Sequence, residues 1–331
     1  MLARSIGRTL QRSNLGIARA IESAFLRGSD ASPVEMPLVA ICGAPRTGST
    51  LTYQLATQIC DFVFVSNAQN ALFRTPLLAS MLMRSRRRAY LSDYRSSGGY
   101  VRGLSGPAEA MQFWSYWLDH DLSEKTPQRD PRRRARFARV MNALYRQVQR
   151  PFLTGYLAHA FYIDDLRAVF PRVLMMRMDR DMLDAAYSAL RRWRATRTRG
   201  RGIEFYGTRP RELLEPLDEH AYVARQQYFN ARRLDAFERE CPRCCFHARY
   251  SQVCSDPARF ATELIEAMQH AGIEAVRRDG ISLPDSFPES HYESEHDDDT
   301  REIKRQLDRL HEEFGPTGGV YRGTRASQPR A

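Results

Sequence analysis

The sequence predicts an α/β fold in which a parallel sheet is covered by helices on both faces, a three-layer α/β/α arrangement. Three observations point there: short unbroken apolar runs at 38–42 and 173–176, helix-period segments between such runs, and a glycine-rich loop directly after the first of them. Unbroken apolar runs suit strands buried on both faces, and their alternation with helices calls for the crossover connections of a parallel sheet.

Length and composition are compatible with this class. The chain has 331 residues, 43% hydrophobic and 27% charged, which excludes disordered, collagen-like and disulfide-scaffold polypeptides. No run approaches the roughly 18 consecutive apolar residues of a membrane helix, so a soluble, cytoplasmic protein is expected. The net charge of +11 favours anionic ligands. Lys125 and Lys304 are the only lysines among 50 basic residues. Such uniform use of arginine is explained more simply by a GC-rich genome than by a nucleic-acid surface, and no specific nucleic-acid partner is expected. Six cysteines are too few and too clustered for a disulfide framework, so reduced thiols are expected. Cys241-Pro-Arg-Cys244 has the spacing of half a zinc site, but no second pair follows it and no metal is expected.

The elements follow in order. Residues 1–25 place Leu2, Ile6, Leu10, Ile17 and Ile21 among arginines, the pattern of a basic amphipathic helix. It reads as a packing helix at the periphery, with contact to a membrane surface and homodimerisation left open. A linker by composition ends at Pro33, so the organisation expected is a helix and linker over 1–33, one domain over 34–314, and a loop or tail over 315–331. From Ser49, Leu51, Leu55 and Ile59 recur at helical spacing. Residues 62–65 read as a second strand and 107–118 as a helix carrying Met111, Trp114 and Trp117. Asp130-Pro131 and Asp256-Pro257 each read as an N-cap followed by proline at the first helical position. A helix is expected over 181–194, another through Tyr222, Gln226, Phe229 and Phe237, a strand near 245–250, and a last helix behind Asp297.

The loop Gly43-Ala-Pro-Arg-Thr-Gly48-Ser49-Thr50 has the glycine spacing of a phosphate-binding loop between a strand and a helix. Its backbone N–H groups and the helix N-terminus suit an anion. The lysine that reaches the terminal phosphates of a nucleoside triphosphate is absent: Ser49 holds that position, and the nearby cation is Arg46. This suits a shorter anion than a triphosphate chain.

Pro45-Arg46-Thr47-Gly48-Ser49-Thr50 resembles the first motif of the sulfotransferases that use 3′-phosphoadenosine 5′-phosphosulfate (PAPS), which have a P-loop-like α/β fold. A second stretch, an apolar run leading into Arg180-Asp-Met-Leu-Asp-Ala-Ala-Tyr-Ser188, is similar to that family's Arg-Asp-Pro-Leu-Asp form, with Met182 in place of proline. Arg177 offers a competing register, but the serine would then be Ala185, so Arg180 and Ser188 are preferred. The likeness extends over about residues 38–270, through weaker echoes at Asn67, at Pro107-Ala-Glu109 and at Tyr250. It implies that Arg46, Thr47, Gly48, Ser49, Thr50, Arg180 and Ser188 bind PAPS and the product 3′,5′-PAP, and that a hydroxyl of a carbohydrate or small metabolite accepts the sulfuryl group. A guanidinium fork with a hydroxyl suits a phosphate monoester. Arg46 and the loop amides would neutralise the transferring group, with no metal required.

The animal cytosolic members' histidine, in a Lys-Thr-His string, has no counterpart at Thr154-Gly155-Tyr156, and Glu109 is the expected general base, with His120 and His159 as fallbacks. Asn67, Arg74 and Trp114 are candidates to line the acceptor pocket. Two other functions are carried beside this one: a degenerate P-loop kinase acting on a nucleotide or small molecule, and a non-catalytic basic protein that binds nucleic acid.

Overall fold

The computed structural model describes residues 16–27, 33–82, 90–196, 202–213, 215–291 and 297–321. Along the chain come α1 (Gly16–Phe25), β1 (Leu38–Cys42), α2 (Ser49–Ile59), α3 (Asn67–Ala71), α4 (Pro76–Leu82), α5 (Met111–Leu118) and α6 (Pro131–Val148). Next are β2 (Phe152–Thr154), a 3-10 turn (Leu157–Phe161), α7 (Ile163–Val169), β3 (Val173–Asp179) and α8 (Met182–Thr196). The last part holds α9 (Glu219–Glu240), β4 (Cys245–Arg249), α10 (Tyr250–Ser255), α11 (Pro257–His270) and α12 (Asp298–Phe314).

The strands form one parallel sheet in the order β2-β1-β3-β4. Every residue of β1, β2 and β3 is buried, the apolar ones in the core and Arg177 of β3 in ion pairs with acidic neighbours. Alternate side chains feed two cores. Leu38, Ala40 and Cys42 pack with Phe113, Trp114 and Phe137 from α5 and α6. Val39 and Ile41 pack with Leu55 and Ile59 of α2 and Phe260 and Leu264 of α11. Period-two alternation thus gives each sheet face its own helical layer. A third cluster joins α8, α9 and α12 through Leu190, Val223, Tyr228, Ile303 and Leu307.

Side-chain caps open several of the helices. Asp130 accepts from the Arg132 and Arg133 amides with Pro131 behind it, Asp256 accepts from Arg259 N, and Asp297 accepts from Asp299 N. Three expectations are corrected. Residues 62–65 form no strand of the sheet: Val63 makes a single parallel bridge to Phe152. The neighbour of β1 is instead β2, whose three residues between Pro151 and Gly155 are too few to show a pattern. Helix α5 opens at Met111 rather than 107, because Ala110 has φ 61°, outside the right-handed region. Cys241 and Cys244 are joined in a disulfide rather than reduced.

The described part of the amino-terminal helix docks on the domain. The buried Glu22 carboxylate accepts from the Leu77 and Leu78 amides at 3.1 and 3.2 Å, at the N-terminus of α4. Residues 1–15 of the expected helix and 322–331 of the expected tail lie outside the described residues. Residues 315–321 pack against α8 and α9: Gly318 N donates to Asp235 Oδ2 at 3.0 Å and Met182 N to the Val320 carbonyl at 2.9 Å. Among the described residues no helix is long and apolar enough to cross a membrane, and no group of three or more His, Cys, Asp or Glu side chains is placed to hold a metal ion.

Candidate active site

All four strands end at one cavity of about 340 Å³, within the usual range for small-molecule sites. Crevices beyond the carboxyl ends of parallel strands are where open α/β sheets bind ligands. The loop after β1 contributes Arg46, Gly48, Ser49 and Thr50; Tyr156 follows β2, Arg180 follows β3 and Tyr250 follows β4. Helix α8 adds Ser188.

The phosphate-binding loop is held by its own chemistry. Thr47 is buried and donates its hydroxyl to the Ala44 carbonyl at 2.8 Å, so it supports the loop and does not line the cavity. Pro45 O accepts from Gln227 of α9 at 3.0 Å. Arg46 has φ 72°, a left-handed conformation that costs an L-residue on the order of 1–3 kcal/mol. Its carbonyl accepts from Arg180 Nη1 at 2.7 Å and its Nε donates to Ser188 Oγ at 3.0 Å, which offsets that strain. Two stretches 134 residues apart therefore meet at Arg46.

Arg180 is aimed by three contacts. Besides Arg46, its Nη2 donates to the Ser290 carbonyl at 2.6 Å, and its guanidinium lies 4.6 Å from the centroid of the Tyr250 ring. Asp181 stands immediately after it and accepts from the Leu183 and Asp184 amides, capping α8 and fixing where Ser188 falls. Arg177, by contrast, is fully buried in ion pairs with Asp179, Asp235 and Glu238, away from the cavity.

Glu109 lies in the loop before α5, not on the helix itself. It faces the cavity, where its side chain is exposed, and the walls of the cavity limit its contact with bulk solvent. That loss of bulk solvation pushes its carboxyl from the ordinary 4.5 up to about 7. Among the described residues it is the sole carboxylate in the lining, which carries the guanidinium groups of Arg46, Arg180 and Arg192.

The remaining candidates lie elsewhere. Trp114 is fully buried against Phe113, Phe137, Phe152 and His159, so it packs the core. Asn67 donates to the Val101 and Gly103 carbonyls, both at 2.7 Å, and Arg74 lies over the Phe73 and Tyr116 rings. None of the three lines the cavity. His120 is buried beside Asp165 at 3.1 Å and His159 is buried in the aromatic cluster; burial lowers the pKa of both, and neither reaches the cavity.

Other lining residues were not among the candidates: Ser96, Gly98, Gly99, Arg192, Tyr206 and Thr208. Gln226 of α9 holds the last two by donating to the Tyr206 and Thr208 carbonyls at 2.8 and 2.6 Å. They sit in loops without a motif. Only Arg192 had a readable signal, since it stands one helical turn beyond Ser188 and so on the same face of α8.

A P-loop-like sheet end that gathers arginines and hydroxyls around a strand-to-helix turn defines a protein that handles an anionic group. Residues 37–274 match the model of the sulfotransferase family, and the chain belongs to that family. Among solved structures it is similar to sulfotransferase STF9 from Mycobacterium avium, at 18% identity over 88% of this chain and 72% of that one, with a TM-score of 0.46. It is also similar to sulfotransferase STF1 from Mycobacterium tuberculosis, at 12% identity over 91% and 80% of the two chains, with a TM-score of 0.48. No curated protein sequence matches it significantly.

Proposed function

We propose that the chain moves a sulfuryl group from PAPS to a hydroxyl of a carbohydrate or small metabolite. The observation that carries this reading is the convergence of Arg46, Arg180 and Ser188, from two separate stretches, on one cavity. A donor with a phosphosulfate at one end and a 3′-phosphate at the other needs two anion grips in one cavity. Gly48, Ser49, Thr50 and Arg46 suit the first; Arg180 and Ser188 suit the second.

PAPS supplies the sulfuryl group, and its 5′-phosphate oxygen is the leaving atom. The acceptor oxygen forms its bond to sulfur as the bond from sulfur to that phosphate oxygen breaks, and the electron pair leaves with PAP. Glu109 takes the acceptor proton. A carboxyl with a pKa of about 7 is matched to that task, being about half ionised at neutral pH and basic enough to draw a proton. Arg46 and the loop amides meet the charge on the transferring and leaving oxygens.

Incubation with labelled PAPS and a panel of glycans, phenols and hydroxylated metabolites tests this. The expected result is label transfer to an acceptor by the wild-type chain and a loss of roughly 100-fold or more in Glu109→Gln with PAP binding preserved. Transfer at the wild-type rate by Glu109→Gln removes the proposed base.

A further inference from the structure

Arg192 is left over by this mechanism. Its half-buried guanidinium lines the cavity, one turn along α8 from Ser188. Among the described residues no carboxylate lies within 4.0 Å of it, whereas Arg194 on the same helix, Arg177 on β3 and Arg233 on α9 each have acidic partners. A half-buried charge without a counter-ion is costly unless a ligand supplies one.

Its guanidinium lies against the turn at residues 97–100. Residues 97–100 make a tight turn, with Ser97 N donating to Tyr100 O at 2.9 Å and Tyr100 N to Ser97 O at 3.2 Å. The two residues between are Gly98 (φ 61°) and Gly99 (φ 86°). A Cβ at Gly98 would collide with Arg192 Nη2, and one at Gly99 would lie 2.5 Å from Glu109 Oε1. The turn is bare of side chains because the two charged heads lie directly on it. Among the described residues neither is in an ion pair within 4.0 Å, and both face the cavity, open to a ligand group. Tyr206 lines the same region, within electrostatic reach of Arg46, Arg192 and Glu109.

We infer that the acceptor is itself an anion, whose carboxylate, phosphate or sulfate ester is bound by Arg192 while a neighbouring hydroxyl is presented to Glu109. This inference rests on the sulfotransferase reading above and adds the charge class of its acceptor. A guanidinium fork recognises all three anions by the same paired N–H geometry. Neutral acceptors of the same shape would leave Arg192 uncompensated, and that difference is the source of discrimination.

Two measurements test it together. PAP binding to wild-type, Arg192→Gln and Arg192→Lys is measured by calorimetry, and transfer from labelled PAPS is measured on matched pairs: glucuronate against glucose, 4-hydroxyphenylacetate against its amide, and glycerol 3-phosphate against glycerol. The expected result is PAP affinity within about twofold in all three proteins. The acidic member of at least one pair should be preferred by about tenfold or more in kcat/KM, with the preference abolished in Arg192→Gln and partly kept in Arg192→Lys. The preferred pair tells a carboxylate from a phosphate. Equal or absent transfer within every pair by a PAP-binding wild-type protein overturns the inference while leaving the donor site standing. So does a tenfold loss of PAP affinity in Arg192→Gln, which makes Arg192 a donor ligand. Failure of the wild-type chain to bind PAP removes the donor reading and this inference with it.

Discussion

Glu109 owes its raised pKa to enclosure rather than to a partner charge, and the sign of its pH dependence follows. As the proposed base it must be ionised, so kcat/KM is expected to rise through about pH 7 and level off above it. Glu109→Gln should give a flat, low profile; a wild-type profile without an inflection near pH 7 contradicts this. Stability runs the other way. A carboxyl whose folded pKa lies above its unfolded value of 4.5 stabilises the fold only while protonated, and that contribution is lost as pH rises through about 7. Glu109→Gln is therefore expected to have the higher Tm at pH 8, and the gap should close below pH 4. Gly48 gives a second test at this scale. It has φ 90°, and a Cβ there would collide with the Tyr250 ring that supports Arg180. Gly48→Ala should lose roughly 1–3 kcal/mol of stability and bind PAP more weakly; an unchanged protein in both respects argues against this role for the loop. The meeting of the loop, Arg180 and Ser188 at one cavity was readable because motif spacing sets which side chains share a turn or a helix face. It did not distinguish Trp114 from a pocket residue, because helical spacing reports that a side chain faces inward and not whether it meets protein or a cavity.

Helix α8 shows where a departure from the family's pattern has a physical reason. Proline at the first helical position is favoured when that N–H has no partner. Here Met182 N donates to the Val320 carbonyl, a bond a proline cannot make. Residues 315–321, expected as loop, are held to α8 and α9 by this bond and by Asp235. Met182→Pro should cost about 1 kcal/mol in urea unfolding and speed amide exchange over 315–321, with α8 itself still protected. Greater stability with unchanged exchange contradicts the assignment. Capped helices were the most legible elements, since Asp130, Asp256 and Asp297 each act within one turn of their own position. The strand β2 was not, because three residues carry no period, and its place beside β1 is set by register with Leu38, Val39 and Ala40.

For the whole molecule, the sheet order brings the carboxyl ends of four strands together, and this turns scattered motifs into one site. Fold class was readable from the apolar runs taken with the helical segments between them, since a sheet covered by helices on both faces buries such runs. The part of the cavity lined by the loops at 96–99 and 206–208 was not readable, because the meeting of these loops depends on long-range packing. The central claim is that Arg46 with its loop, and Arg180 with Ser188, grip opposite ends of one nucleotide. Calorimetry of 3′,5′-PAP and ATP against wild-type and Arg180→Ala tests it most directly. The account predicts that PAP binds the wild-type chain at least tenfold tighter than ATP, and that Arg180→Ala removes most of that preference. Equal affinities for the two nucleotides, or a preference that survives Arg180→Ala, would contradict it.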